Sequence, residues 1–233
     1  MFKIESNKNK HKLCRLQFKL QKIVKFVYPF ILRIHLFNLI LILVYYLLKF
    51  DRLLMRKKKL LNSKDIEIVL HRLACQLIEN HNDFSNTVLI GLQPRGIFLA
   101  NRLANLLKKT YHIKGLKLGL LDITFYRDDF RRKETPLAAE TTKIDFLIEN
   151  KKVVIIDDVL YSGRSVRAAL TAIQSYGRPE NIELLVLIDR RFSRHLPIQP
   201  NYRGRQVDAI NEEKVLVTWE ETHKEDAVYL EQR

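Results

Sequence analysis

The stretch "VVIIDDVLYSGRSVRAAL" (Val153–Leu170) changes character twice. An apolar run leads into two adjacent carboxylates, a turn of small residues follows, and a helix-like stretch closes it. Ser162, Gly163, Arg164 and Ser165 fall at the entrance of that helix, where unpaired backbone N–H groups and the helix dipole attract an anion. Gly163 lets the backbone approach closely, and the two hydroxyls can donate to phosphate oxygens. Asp157 and Asp158 sit one loop-width away, where carboxylates suit vicinal hydroxyls or a hard cation such as Mg²⁺. Hydroxyl-binding acids beside a phosphate cradle describe the two ends of a sugar phosphate. A solvated turn with Ser165 as a plain helix cap explains the acids and the serine separately, but not their order behind a buried strand.

Working outward, the punctuation on either side is regular. Asn62 or Ser63 can cap a helix whose apolar residues, from Ile66 to Ile78, recur at helical spacing. "TVLIGL" (Thr87–Leu92) suits a central strand, and "GIFLANRLANLLKKT" after it is helical. "GLKLGLLDITFY" (Gly115–Tyr126) reads as a strand region. "RDDFRRKETPLAAETTK" (Arg127–Lys143) reads as a long loop, of a length that is usually functional or disordered. "KKVVIID" is the next strand, and "RSVRAALTAIQSYG" is a helix closed by Gly177. "IELLVLIDR" is another strand, "HLPIQPNYRGRQV" is irregular, and "EKVLVTW" is a last strand. Strands alternating with helices imply a mostly parallel sheet covered on both faces. In such sheets ligands bind beyond the carboxyl ends of the strands. Three suggestive sequences fall there: "QPRG" (Gln93–Gly96), "DDVLYSGRS" (Asp157–Ser165) and "DRRFSRH" (Asp189–His195). A dinucleotide fold competes poorly, because G-x-G-x-x-G follows none of the strands, and the Walker A pattern is absent too.

The formal net charge of +15 points at first to an anionic partner, but it is unevenly spread. Residues 1–54 hold 11 of the 41 Lys and Arg and only 2 of the 26 Asp and Glu. The rest of the chain is only mildly basic. Cys14 and Cys75 form no disulfide framework and no metal spacing, so a reducing, cytoplasmic setting is expected. Residues 1–54 lack Gly, Ala, Thr and Trp. "FILRIHLFNLILILVYYLL" (Phe30–Leu48) is long enough to span a bilayer, but Arg33, His35 and Asn38 weaken it. A membrane anchor, an interfacial helix and a segment absent from the native product compete. The last is preferred, with a domain opening at Met55 and running to residue 233.

"VVIIDDVLYSGRS" resembles the phosphoribosyl-pyrophosphate (PRPP) motif of type I phosphoribosyltransferases. Together with "LDITFYRDD" and "LIDR…LPIQP", it is similar to the family of pyrimidine-operon attenuators with uracil phosphoribosyltransferase activity. The resemblance covers Met55 to about Trp219. It implies an α/β type I phosphoribosyltransferase fold: a mostly parallel sheet flanked by helices, a small hood, and a mobile loop over Arg127–Lys143. It implies the reaction uracil + PRPP → UMP + diphosphate, with Mg²⁺ carried on PRPP and touched by Asp157 and Asp158. Asp157 and Asp158 match the ribose-binding acids, with Val159 beside them, and Leu160, Tyr161, Ser162, Gly163, Arg164 and Ser165 match the 5′-phosphate loop. Arg95 matches the arginine of the pyrophosphate loop, where Pro94 departs from the usual threonine. Arg127 precedes the mobile loop and reaches the pyrophosphate, and Asp189 and Arg190 lie beside base and phosphate.

The family's second activity implies binding of leader RNA under UMP control, with Arg191, Arg194, His195, Arg203 and Arg205 as candidates. Here the chain departs: "RFSRH" is one residue longer than the usual stretch, and Gln199 replaces a usual arginine. A transferase that binds no RNA, or that uses another base, is the alternative. A homodimer or higher oligomer is also implied.

Overall fold

The structure is a computed structural model that describes residues 43–46, 57–128, 139–209 and 213–232. The chain divides into two compact units, Met1–Met55 and Arg56–Arg233. In the first only one helical turn over residues 43–46 is described, so the readings of residues 1–54 otherwise lie outside the described residues. No helix among the described residues is long and apolar enough to cross a membrane.

The second unit begins with strand β1 (Lys57–Leu61) and helix α1 (Ser63–His81). Asn62 starts α1 through a capping box: its side chain accepts from the Asp65 N–H at 3.0 Å, and the Asp65 carboxylate accepts from the Asn62 N–H at 3.0 Å. Next come β2 (Thr87–Leu92), α2 (Gly96–Lys109), β3 (Lys117–Leu121), β4 (Lys152–Leu160), α3 (Arg164–Ile173) and β5 (Asn181–Arg191). The unit ends with β6 (Tyr202–Asp208), β7 (Glu213–Thr218), the short helix α4 (Glu220–His223) and β8 (Ala227–Gln232). Five strands form a parallel sheet in the order β3-β2-β4-β5-β6. Three form an antiparallel sheet in the order β1-β8-β7, which is the hood.

The unbroken apolar runs of β2, β4 and β5 follow from burial on both faces. Along β4, Val154 and Ile156 join the core under α1 and α2, while Val153 and Ile155 join the core under α3. The first core continues into the hood through Val215, Val217, Trp219 and Val228.

Three expectations need correction. "GLKLGLLDITFY" is a strand only over Lys117–Leu121, and Thr124–Tyr126 form a 3₁₀ turn. The stretch expected to be irregular carries β6 once its prolines, Pro197 and Pro200, are past. An edge strand needs a ladder on one side only, and β6 buries Tyr202 and Val207 while leaving Arg203 and Arg205 to solvent. "EKVLVTW" is not the last strand, because β8 follows and pairs with β1, a lysine-rich segment in which only Leu61 is fully buried.

A polar network closes α1 against the sheet. His81 Nδ1 lies 3.1 Å from Thr87 Oγ1, and Nε2 lies 3.1 Å from both Glu183 and the Tyr202 hydroxyl. Burial lowers the His81 pKa against the opposing pull of Glu183. A histidine kept neutral by the fold binds its proton more readily when unfolded, so stability is lost as pH falls below about 6.5. The melting temperature should therefore fall between pH 7.5 and 5.5, and it should fall less in His81→Gln. An equal loss in both proteins would remove His81 as the cause.

Candidate active site

The carboxyl ends of β2, β4 and β5 converge under the hood on a cavity of about 380 Å³. Its walls include Gln93, Pro94 and Arg95 after β2; Ile123 and Arg127 after β3; Asp157, Asp158 and Val159 on β4; Tyr161 and Ser165; Arg190 on β5; and Glu213, Lys214 and Val215 on β7. β4 runs through the acid pair, so Asp157 and Asp158 are strand residues rather than part of the loop.

The pair is tightly built. The Asp158 N–H donates to Asp157 Oδ1 at 2.9 Å. Arg95 Nε lies 3.1 Å from Asp158 Oδ2. This is an ion pair with its N–H aimed elsewhere, so the buried Oδ2 accepts no hydrogen bond. Burial, then the neighbouring Asp158 charge, pushes Asp157 well above the usual carboxylate range. Burial also raises Asp158, against the opposing pull of Arg95. Two carboxylates packed this way hold less negative charge than two exposed ones.

The glycine turn expected to cradle a phosphate follows directly. Gly163 takes φ +89°, the left-handed region that favours glycine, and α3 starts at Arg164 without a side-chain cap or an acid in its first turn. Its first-turn N–H groups are therefore open to an anion without competition from a first-turn carboxylate. Arg127 Nη1 donates to Ser165 Oγ at 3.2 Å, which brings the arginine after β3 onto the cradle. Asp128 holds Arg167 at 2.8 Å and Arg164 at 3.7 Å. Leu160 is buried in the core under α3, and Ser162 is buried at the turn with its carbonyl accepting from the His195 N–H at 3.1 Å. Neither Leu160, Ser162 nor Arg164 lines the cavity.

Arg190 stacks over the Tyr161 ring at 4.1 Å, and burial lowers its pKa. Asp189 lies outside the cavity and is bound by Arg194, with Arg203 at 3.9 Å. Arg194 also donates to the Tyr161 carbonyl, bracing the cradle from behind. Arg205 donates to the Leu60 carbonyl at 2.6 Å, and Arg191 pairs with Asp208 at 2.6 Å. Of the residues singled out for RNA, Arg194 is half-buried and engaged within the fold, while Arg205, though bonded to Leu60, and His195 are exposed. A groove of about 600 Å³ beside them contains Arg191, Arg203 and the exposed Phe192.

Sequence reasoning missed the hood residues Glu213, Lys214 and Val215. They reach the cavity only because β7 folds back over the sheet, and no local pattern marks them. The hood is held by Arg102 on α2. Its guanidinium bonds Glu221 at 2.8 and 3.1 Å and Asp226 at 2.6 and 2.8 Å, and it stacks over Trp219 at 4.8 Å.

A parallel sheet whose central strand ends in an acid pair, a glycine turn opening a helix, and an antiparallel hood define a type I phosphoribosyltransferase. Residues 57–223 match the phosphoribosyl transferase domain family model. A hypoxanthine phosphoribosyltransferase of Staphylococcus aureus superposes with a TM-score of 0.55 at 20% identity, covering 73% of this chain and 90% of that one. The bifunctional protein PyrR of Gloeothece citriformis is 46% identical over 172 residues, covering 74% of this chain and 96% of that protein. PyrR of Caldicellulosiruptor bescii is 41% identical over 175 residues, covering 75% and 95%. The chain belongs to the PyrR family of phosphoribosyltransferases.

Proposed function

We infer that this chain transfers the phosphoribosyl group of PRPP to uracil, forming UMP and diphosphate. The observation that carries this reading is the cavity lined by the acid pair, Arg95, Arg127 and, from the two ends of the glycine turn, Tyr161 and Ser165. The cradle binds the 5′-phosphate, and Asp157 and Asp158 accept from the ribose hydroxyls. Arg95 and Arg127 face the diphosphate. Val215 and Arg190 border the space left for a planar base, where the guanidinium can donate to a carbonyl oxygen of uracil.

In the reaction the bond from C1′ to the base nitrogen forms as the bond from C1′ to the diphosphate oxygen breaks, and the proton of that nitrogen leaves with the diphosphate. The sugar passes through a cation-like state, as in glycoside hydrolysis. The residues act by positioning the reactants and by meeting charge where it develops. Mg²⁺ fits the site, because two adjacent carboxylates include a buried oxygen that accepts no hydrogen bond, and such an ion is often held by one or two carboxylates plus substrate phosphates. Asp157 and Asp158 would hold it, and it would neutralise the departing diphosphate. No group of three or more His, Cys, Asp or Glu among the described residues forms a cage for an ion.

The test is an assay of PRPP with uracil, hypoxanthine, guanine and orotate. Turnover with uracil alone is expected, and turnover confined to a purine would sink the reading. The curated relatives are called bifunctional, and this favours a second role in UMP-responsive binding of pyrimidine-operon leader RNA. The groove with Arg191, Arg203 and Phe192 offers cations for phosphates and an aromatic face for an unstacked base. Filter binding of the leader RNA at fixed salt should tighten with UMP. Affinity indifferent to UMP would leave an enzyme alone.

A further inference from the structure

Asp122 follows β3 and is buried, yet it lines no part of the cavity. Its carboxylate serves two segments at once. Oδ1 accepts from the Thr124 N–H at 2.9 Å and from Thr124 Oγ1 at 2.6 Å, where the chain leaves toward Arg127. Oδ2 accepts from the Glu140 N–H at 3.1 Å, where the chain returns. The Asp122 N–H donates to Thr142 Oγ1 at 3.0 Å. Next to it, Leu120 and Lys143 exchange two backbone bonds of 2.8 and 2.9 Å. Both ends of the segment between Arg127 and Glu140 are therefore tied to one side chain.

The outgoing end leads straight to the site. The 3₁₀ turn Thr124–Tyr126 starts on the Asp122 carboxylate, and Arg127 follows it with its guanidinium on Ser165. Rotating that turn would move Arg127 off the cradle. We propose that Asp122 is a positioning residue for the transfer: by holding both ends of this segment it sets where Arg127 meets the diphosphate of PRPP. The proposal rests on the phosphoribosyltransferase reading and adds to it a residue that touches no substrate.

Carboxylate chemistry makes the proposal specific. All three donors need acceptors, and an ionised carboxylate offers only acceptors. In Asp122→Asn one oxygen becomes an NH₂ group, which meets either Glu140 N–H or Thr124 N–H donor to donor. Asparagine can keep one end and must release the other. Asp122→Asn should therefore weaken PRPP binding and turnover about tenfold, because small misplacements of positioned groups cost up to about 10²-fold. UMP shares the 5′-phosphate but carries no diphosphate, so its affinity should fall far less than that of PRPP.

A double-mutant cycle makes the test. If Asp122 acts through Arg127, adding Asp122→Asn to Arg127→Ala should change turnover less than twofold, since groups acting as one unit are not additive. A full tenfold further loss, or a UMP affinity that falls with PRPP affinity, would overturn the proposal and leave Asp122 a general fold residue. If Asp122→Asn does not fold, Thr142→Val replaces it. That change removes only the hydroxyl at the returning end and should weaken PRPP binding in the same selective way, and equal PRPP and UMP affinities to parent would overturn the proposal. A parent chain that binds neither PRPP nor UMP overturns the phosphoribosyltransferase reading, an outcome distinct from simple additivity in the cycle.

Discussion

Asp158→Asn should lower the turnover of PRPP and uracil about 10²–10³-fold, the cost of removing one preorganised electrostatic group from a buried site, and the melting temperature should hold or rise. The activity loss follows from what the amide cannot do. Asp158 Oδ2 is buried, accepts no hydrogen bond and lies 3.1 Å from Arg95 Nε. An amide in that place either turns NH₂ toward Arg95 or offers it to a ribose hydroxyl that needs an acceptor. The stability result follows from the sign of the pKa change. Burial raises Asp158 in the fold, so the native state keeps its proton to higher pH than the unfolded chain does. The carboxylate is therefore harmless to stability at acid pH and costs stability as pH rises through the carboxylate range. Asparagine removes that cost. Arg95 does not need the charge to stay solvated, since its side chain is 44% exposed. Parent and variant should unfold together near pH 4, and the variant should unfold at the same or higher temperature at pH 7.5. Parental turnover in the variant would take the acid pair out of the mechanism. A melting temperature well below that of the parent at pH 7.5 would show that the carboxylate holds the fold.

That pairing of lost activity with retained stability is expected where a site is built at the expense of the fold. It also explains what was legible in the sequence. Buried charge at the end of an apolar strand violates the local pattern, so Asp157 and Asp158 stood out. Gly163 stood out because a turn at φ +89° suits glycine and because it directly precedes a helix. The parallel sheet was legible because its strands are buried on both faces and read as continuous apolar runs. The hood was not. β1 is written "KKKLL" and pairs with β8, far away in the chain, so no local apolar alternation announces it. β6 begins after Pro200 and alternates Arg with buried residues, so its composition resembles a loop. Arg194 shows the limit from the other side. A basic residue in a basic stretch reads as surface, and only the fold shows it bonded to Asp189 and the Tyr161 carbonyl. Asp122 is the same case, since nothing local announces that Glu140 returns to it.

Gly96→Ala is the second large effect, and it tests the join between β4 and the start of α2. A Cβ at residue 96 would lie 2.4 Å from the Ile156 carbonyl oxygen and 3.0 Å from the Asp157 Cα. Both are backbone atoms of the central strand, paired with β2 on one side and β5 on the other, so neither can give way locally. Conformational preference does not enter, since Gly96 is an ordinary helical residue and alanine favours helices. The conflict is steric alone, and it must be relieved by moving the start of α2. Overpacking of this kind costs about 2–3 kcal/mol, or roughly 5–10 °C in a domain of this size. The displaced helix start carries Arg95, which lines the cavity and pairs with Asp158, so turnover should fall about 10²-fold. Gly115→Ala is the control: its Cβ would meet only the Asp83 carbonyl, at 3.3 Å, where a shift of a few tenths of an ångström suffices. It should keep turnover within twofold of parent. Thermal unfolding and initial rates on the three proteins decide the matter. If Gly96→Ala melts and turns over like Gly115→Ala, α2 does not press on the strand that carries the acids, and Arg95 owes its position to something else.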